Sequence, residues 1–238
     1  MQISTIAEEF LSSKTGLKEA IKSFDKKRGF SLLQSLQTEE DPINFFSALA
    51  EIRTGLFFDP WCSDLGFNTP IDRKRPDWSI WSQDQRIICE VLRLNAPQEE
   101  TQASIEASRE RRKFQLENPG VPFAYHYGAQ ITNTAYLCGA QWKLQYKEEK
   151  YRDIIVRHQL PFILCINPSF ESNINEIDVS DFLMGKHGFF ANDEYFGRNV
   201  AGVLLHGFFN GHWVYFPNNK AQFPLSAKNN NILSEWWI

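Results

Sequence analysis

Cysteine is scarce in this chain, and its arrangement argues against two common ways of stabilising a small fold. The sequence has 4 cysteines among 238 residues, and none of them forms a C-x-x-C pair. Without paired spacing, neither a structural zinc site nor a disulfide framework is expected. Cys89 and Cys165 stand inside apolar runs, where a thiol behaves as a small hydrophobic side chain. The sequence therefore predicts a reduced protein located in the cytoplasm.

Long apolar runs and an excess of basic residues are also missing. No run of about 18 apolar residues is present to cross a bilayer, and residues 1–11 lack the continuous apolar segment of a secretory signal. We therefore expect no membrane association. The sequence has 25 Lys and Arg against 29 Asp and Glu, a formal net charge of −4. This balance does not favour a nucleic-acid binder, because basic side chains neutralise phosphates.

Several catalytic motifs are absent as well. The sequence contains no G-x-S-x-G, P-loop, G-x-G-x-x-G or H-E-x-x-H pattern, which argues against serine-hydrolase, nucleotide-binding and zinc-protease chemistry. His206 and His212 flank a turn that contains glycine, but their separation matches no standard zinc site. Any catalytic activity must therefore come from other polar residues.

The composition that remains is that of one globular unit with an aromatic core. Hydrophobic residues make up 42% and charged residues 23% of the chain, which includes 20 Phe and 7 Trp. A chain of this length can bury one sizeable core, and no repeat or linker divides it. We predict an N-terminal helical extension over residues 1–40 and a single domain over residues 41–238.

Residue periodicity predicts the order of the elements in this domain. Asp41-Pro42 marks the start of a helix that carries Phe45, Leu49, Ile52 and Leu56 at helical spacing and ends at Asp59-Pro60. The other predicted elements are a hairpin of strands 75–81 and 86–94, helices 98–116 and 139–158, a buried central strand 161–166, and a strand pair 201–209 and 212–216. This order favours an α/β or α+β fold with a mixed central sheet flanked by helices.

Two acids fall within the predicted hairpin. Strand alternation places Glu90 on the same face as Ile88 and Leu92, and Arg93 on the opposite face. A buried carboxylate requires a cation, a metal or a proton, and Asp77 is close enough across the hairpin to be a neighbour of Glu90. A third acid, Glu51, lies on the preceding helix. Its face of that helix carries the small residues Ser47, Ala48 and Gly55, which leave room for a strand end or a ligand.

The series Glu51, Pro76-Asp77 and Glu90-Val91 resembles the motif of the PD-(D/E)XK nuclease superfamily, over about residues 42–167. The resemblance implies a restriction-endonuclease-like core: a helix with an acid, a hairpin with the remaining motif positions, then a helix and a strand. It implies that Asp77, Glu90 and the Val91 carbonyl bind Mg²⁺ or Mn²⁺, which activates water for phosphodiester cleavage. Glu51 would position a metal, water or substrate. DNA is the expected substrate, with RNA as the alternative.

The motif lysine is the departure from this family, because Leu92 stands in its place. Arg93 faces the other side of the strand and is a poor substitute. Lys147 is the better candidate, since Leu144, Tyr151 and Ile154 lie at same-face spacing on its predicted helix. A lysine within an apolar stripe needs an acid partner, and Glu90 or Asp77 would serve. The alternative is that its ammonium extends into solvent.

Basic residues outside the motif are candidates for phosphate contacts. They are Arg73, Lys74 and Arg75 in the loop before the hairpin, and Lys143 and Lys150 beside Lys147. The stretch Arg109–Lys113 is better explained as a solvated helix face. The terminal residues 235–238 would plug the core or form the contact of a homodimer.

Two other functions remain open at this point. Leu92 and the acidic net charge support a catalytically inactive member of the fold that binds nucleic acid or protein. The acids could also be purely structural partners of arginines, for which the sequence offers Arg53, Arg86 and Arg93.

Overall fold

The computed structural model describes residues 6–82, 84–94, 117, 133–168, 176–185, 188–190, 196–206 and 212–235. Within these ranges the helices are α1 (Ile6–Ser12), α2 (Thr15–Arg28), α3 (Leu32–Gln37), α4 (Pro42–Phe58), α5 (Asn133–His158), α6 (Glu176–Met184), α7 (Phe196–Asn199) and α8 (Ala227–Glu235). The strands are β1 (Asp64–Phe67), β2 (Trp78–Trp81), β3 (Arg86–Leu94), β4 (Phe162–Pro168), β5 (Gly202–His206) and β6 (Trp213–Pro217). None of the helices in these ranges is long and apolar enough to cross a membrane.

All six strands form one mixed sheet, in the order in which they occur along the chain. The β2–β3 hairpin and the β5–β6 pair are antiparallel, as the turns between them predict. The central strands β3, β4 and β5 run parallel. Parallel neighbours need a crossover connection, and α5 lies between β3 and β4. The predicted mixed sheet with flanking helices is confirmed.

The sheet is covered on both faces, and the side-chain alternation of β3 explains how. Ile87, Cys89 and Val91 belong to an apolar cluster with residues of α1 to α4 and α8, which we call the α4 face. Ile88 and Leu92 belong to a second cluster with residues of α5 and α6, which we call the α5 face. The faces predicted from period-2 alternation are therefore correct.

Helix α4 begins as the sequence predicts and is tied to α2 at its other end. The Asn44 N–H donates to the carboxylate of the N-cap residue Asp41 at 2.9 Å, which satisfies one free N–H of the first turn. After the last turn, Asp59 accepts hydrogen bonds from Lys27 at 2.7 Å and Arg28 at 2.6 Å. These contacts hold α4 on its face of the sheet, where Phe45 is fully buried.

The loop before β2 holds α5 against the sheet. Asp72 lies 3.0 Å from both Arg157 and His158 at the end of the helix. Lys74 donates to the backbone carbonyl of Lys150 at 2.6 Å. The loop therefore contacts α5 at two positions about two turns apart, and so it fixes the helix along its axis.

Some elements were missed or extend beyond their predicted bounds. Strand β1 has four residues, among them Gly66, which is too short for an alternation signal. Helix α5 starts at Asn133, earlier than predicted, and α6, α7 and α8 carry no strong sequence period. The helix predicted over residues 98–116 and residues 236–238 lie outside the described residues.

Candidate functional site

Asp77 directly precedes β2 and is held against β3 by two hydrogen bonds. Its backbone N–H donates to Glu90 Oε1 at 3.0 Å, and its carboxylate Oδ2 accepts the Val91 N–H at 2.7 Å. The strand register, in which Trp78 is opposite Cys89, places Asp77 beside Glu90. The two acids that the hairpin was expected to bring together are therefore neighbours.

Glu90 is fully buried and is contacted by cations from α5. Lys147 Nζ lies 2.5 Å from Glu90 Oε2, and Lys150 Nζ lies 4.0 Å from the same oxygen. The Lys147 side chain keeps 23% of its exposure, while Leu144 and Tyr151 on the same stripe are fully buried. Lys147 thus turns inward to an acid instead of extending into solvent.

Glu51 reaches this region because α4 packs closely on β2. The Trp78 indole N–H donates to the Glu51 backbone carbonyl at 2.9 Å. The Trp78 ring occupies the space where a Cβ would stand at Gly55, so only glycine permits this approach. Gly55, one of the small residues near Glu51, therefore makes room for the Trp78 side chain at a strand end. This is one of the two options that the sequence left open.

The acids of this site repel one another. Burial and the charge of Asp77 raise the pKa of Glu51 to about 8, although Lys147 opposes the shift. Burial and the charge of Glu90 raise the pKa of Asp77 to about 6. Burial alone would lower the pKa of Lys147, but Glu90 and Asp77 outweigh it and raise that pKa. When Glu51, Asp77 and Glu90 are all ionised, their charge therefore exceeds that of the two lysines that contact Glu90.

The donor chemistry fits a hard divalent cation, whereas the arrangement of the side chains is not that of a metal cluster. Among the described residues, no three His, Cys, Asp or Glu side chains are grouped so that they could hold a metal ion. Both oxygens of Glu90 are already engaged, by Lys147 and the Asp77 N–H. Carboxylate oxygens with excess negative charge suit Mg²⁺ or Mn²⁺. Coordination through Glu90 requires the Lys147 ammonium to leave that carboxylate.

The arginines proposed as structural partners lie elsewhere. Arg86 stacks on the Trp81 ring at 4.7 Å. Arg93 donates to the Ile43 carbonyl at 3.3 Å and lies over the Phe46 ring on the α4 face. In the part of the chain that the structure describes, the acids have no ion pair with an arginine; Glu90 pairs with lysines of α5.

Leu92 is buried in the apolar cluster of the α5 face, with 8% of its surface exposed. It therefore packs as an ordinary core residue and supplies no charge. Arg93, on the opposite face, cannot replace the missing lysine, as strand alternation predicts. The cation that contacts Glu90 comes instead from Lys147, as the position of this residue within its helical stripe predicts.

The remaining basic candidates lie around this site in different environments. Lys143 Nζ is 5.8 Å from the ring of Trp142. Arg73 and Arg75 are exposed, whereas Lys74 points to α5 and its ammonium is used in an internal contact. Lys74 therefore contributes to holding the loop rather than to an open basic surface.

Two exposed aromatic residues near Lys147 were missed. Trp142 and Tyr146 on α5 are 62% and 59% exposed, and their i, i+4 spacing places them on one face of the helix. Their spacing outside the apolar stripe was visible in the sequence and could have identified them. Side chains of this size normally bury most of their area, so this pair forms an unusual surface.

The chain has no match among known proteins at any of three levels of comparison: no family model, curated protein or solved structure matches it. The function must therefore be argued from the geometry of the chain itself. Membership of the PD-(D/E)XK superfamily stays a prediction from the motif residues.

Proposed function

We propose that this chain is a divalent-metal-dependent phosphodiester hydrolase of the PD-(D/E)XK type, acting on DNA in preference to RNA. The observation that carries the proposal is the contact between Lys147 and Glu90, beside Asp77. A lysine next to two acids is the set of side chains that the family motif requires. Here the lysine comes from a helix and not from the strand.

The order of the elements supports the same proposal. Helix α4 bears Glu51, the β2–β3 hairpin follows with Asp77 and Glu90, and α5 and β4 come next. This is the order that the family resemblance implies for a restriction-endonuclease-like core. The additional elements are α1 to α3 before this series, α6, α7, β5, β6 and α8 after it, and β1 between α4 and the hairpin.

A purely structural salt bridge explains less of the charge distribution. A pair of Lys147 and Glu90 alone would be neutral, yet Glu51 and Asp77 are added beside it and their pKa values rise. Burying like charges together is costly. A role in binding a cation accounts for that cost, because a divalent ion balances the excess.

The residues of the site have distinct roles in this proposal. Asp77, Glu90, Glu51 and the Val91 carbonyl would hold Mg²⁺ or Mn²⁺, which when bound supplies Lewis-acid stabilisation and a more acidic water. Lys147 is protonated, since the pKa of its ammonium is raised. Once displaced from Glu90 by the cation, it would donate a hydrogen bond that orients a water or a phosphate oxygen. Glu51, with a pKa of about 8, can hold or release a proton near neutral pH.

The surface of α5 supports a nucleic acid as substrate. Lys143, Lys147 and Lys150 share one side of the helix at i, i+4 and i+7 spacing, so positive charge continues from solvent to Glu90. Trp142 and Tyr146 lie beside this row and are exposed. Aromatic faces stack on unpaired bases while lysines contact phosphates, so an unpaired or distorted segment fits this surface best.

A cleavage assay tests the proposal directly. Single- and double-stranded DNA and RNA are incubated with the protein and Mg²⁺, Mn²⁺ or EDTA, and the products are resolved by length. We expect metal-dependent cleavage that Asp77→Asn reduces by at least about a hundredfold, since one ligand of the site is neutralised. Glu149→Gln, an exposed acid on α5, is the matched control and should leave cleavage unchanged.

The failures of this assay are informative. Binding of nucleic acid without cleavage under any metal would reject the hydrolase and leave the inactive binding module. Neither binding nor cleavage, together with an unaltered fold in Glu90→Gln, would leave the acids as structural residues only.

A further inference from the structure

A second polar cluster lies on the α4 face of the sheet, at the end of the central strands. Arg93 and Asn167 are paired in the β3–β4 register, and His206 is paired with Trp213 in the β5–β6 register. A hydrogen bond of 3.0 Å joins Asn167 Nδ2 to His206 Nδ1. The four residues therefore form one continuous row across β3, β4, β5 and β6. Carboxyl ends of parallel strands are where α/β sheets bind ligands.

Helix α4 places an arginine over the middle of this row. Phe46, Arg53 and Phe57 lie at i, i+7 and i+11 spacing and share one side of the helix. Phe46 contacts the Arg93 guanidinium at 4.8 Å, and Phe57 stacks on Trp213 at 4.5 Å. Both ends of the row are thus closed by aromatic contacts. Arg53 lies between these two phenylalanines on the same side of α4, and its charge acts on His206.

Arg53 has no acidic partner among the described residues. It is half-buried, and no ion pair or hydrogen bond of its guanidinium occurs there, while burial lowers its pKa. Removing a guanidinium from water without a counter-ion costs free energy. Within the same described ranges Arg86 also lacks an acidic partner, but its guanidinium stacks on Trp81. In the ranges that the structure describes, no aromatic contact of that kind occurs at Arg53, so a bound anion would compensate its charge.

His206 is arranged as a neutral hydrogen-bond donor. It is buried, and burial together with the charge of Arg53 lowers its pKa to about 4. With Asn167 Nδ2 as the donor to Nδ1, the ring proton resides on Nε2. Trp213 packs against the imidazole at 4.3 Å and fixes its plane. A neutral imidazole N–H beside a guanidinium binds oxyanions without adding a second buried charge.

We propose that Arg53 and His206, oriented by Asn167 and Trp213, form a binding site for a phosphate-type oxyanion. The guanidinium matches two oxygens of such a group, and the imidazole N–H matches a third. The site is on the α4 face, whereas Glu90 and Lys147 meet on the α5 face. The oxyanion-site proposal can therefore be tested independently of the hydrolase proposal.

The test measures stabilisation of the full chain by inorganic phosphate against sodium chloride of equal ionic strength. We expect a saturable rise of Tm with an apparent Kd on the order of 1 mM, typical of a few charge-assisted hydrogen bonds. Arg53→Met should abolish the rise. In chloride alone it should be at least as stable as the original protein, since an uncompensated guanidinium is removed. Arg86→Met is the matched control and should keep the full phosphate response.

A second measurement does not depend on stability. In imidazole-labelled protein, phosphate should shift the ¹⁵N resonance of His206 Nε2, and Arg53→Met should remove this shift.

Oligonucleotides with a 5′-phosphate and with a 5′-hydroxyl then separate the sources of the anion. Tighter binding of the 5′-phosphorylated oligonucleotide would identify the ligand as a phosphate carried by nucleic acid. Equal, weak binding of both oligonucleotides would identify it as free phosphate. An equal response in Arg53→Met, or equal responses to phosphate and chloride, would overturn the site.

Discussion

Lys147 Nζ lies 2.5 Å from Glu90 Oε2, although the two residues are 57 positions apart in the chain. The contact requires β3 to present Glu90 on its α5 face and α5 to turn Lys147 toward the sheet. The loop before β2 secures that geometry, since Tyr151, one turn after Lys147, donates to the Arg75 carbonyl at 2.7 Å. The pair is therefore specified by three separate segments.

Replacing Lys147 by an uncharged side chain of similar length tests what its pair with Glu90 contributes to the free energy of unfolding. Lys147→Met leaves a buried carboxylate without its closest cation, which costs about 3–5 kcal/mol when the pair is fully buried. Because Lys147 is 23% exposed, we expect a somewhat smaller loss of about 2–4 kcal/mol in urea unfolding. The exposed Lys22→Met should change the unfolding free energy by less than about 0.5 kcal/mol.

The double variant Lys147→Met with Glu90→Gln separates stability from chemistry. With both charges removed, most of the lost stability should return. Nucleic-acid cleavage should stay absent, because neither the acid nor the ammonium remains. Recovery of cleavage along with stability would mean that the pair acts only in folding.

Metal affinity should depend on pH because Glu51 and Asp77 bind protons near neutrality. With pKa values of about 8 and 6, both must lose protons to hold a cation. We expect Mn²⁺ affinity, measured calorimetrically, to rise roughly five- to tenfold between pH 7 and 8.5, with proton release into the buffer. Glu51→Gln should flatten that dependence, and Glu149→Gln should not.

Protonation of Glu51 also makes the stability of the metal-free protein depend on pH. The carboxyl of Glu51 has a folded-state pKa of about 8 against 4.5 for an unperturbed glutamate, so the native state holds more protons between these values. Stability should therefore be highest below about pH 4.5 for this group and fall as pH rises to about 8. Glu51→Gln should be about 1–3 kcal/mol more stable than the original protein at pH 8. A loss of stability at pH 8 would contradict the repulsion between the acids.

Much of the fold was predictable because local signals were strong where the core is built. The Asp41-Pro42 start of α4 and the turn between β2 and β3 depend on short-range chemistry. Strand alternation in β3 then fixed the side of Glu90, and helical spacing fixed the side of Lys147. Since each rule acts within one element, the sequence alone predicts that Glu90 and Lys147 are partners.

What could not be predicted depends on contacts between distant elements. The row that joins Asn167 to His206 follows from the parallel register of β4 and β5, which no local pattern encodes. Arg53 could be placed beside Phe46 and Phe57 by helical spacing, but what it faces is decided by how α4 crosses the sheet. The internal contact of Lys74 has the same origin, because it depends on where α5 lies.

The exposed aromatic pair on α5 should bind substrate without stabilising the fold. Trp142→Ala with Tyr146→Ala removes faces that stack on bases, each worth about 1–3 kcal/mol of single-strand binding. We expect affinity for single-stranded DNA, measured by fluorescence anisotropy in EDTA, to fall by a factor of about 10 or more. Tm should stay within about 2 °C, because both side chains are mostly exposed. Val156→Ala, another exposed apolar residue of α5, is the control that should leave affinity unchanged.

Gly55 controls how closely α4 approaches β2, and therefore where Glu51 lies. A Cβ at Gly55 would overlap the Trp78 ring, and Trp78 also donates to the Glu51 carbonyl at 2.9 Å. Overpacking costs about 1–3 kcal/mol and a lost hydrogen bond about 1 kcal/mol. Gly55→Ala should thus lower the unfolding free energy by about 2–4 kcal/mol and reduce cleavage in the folded fraction. Gly16→Ala on α2, where a Cβ meets nothing within 4 Å, should instead be neutral or stabilise by up to about 1 kcal/mol. Equal stability of the two alanine variants would show that α4 has room to move away from the sheet at Glu51.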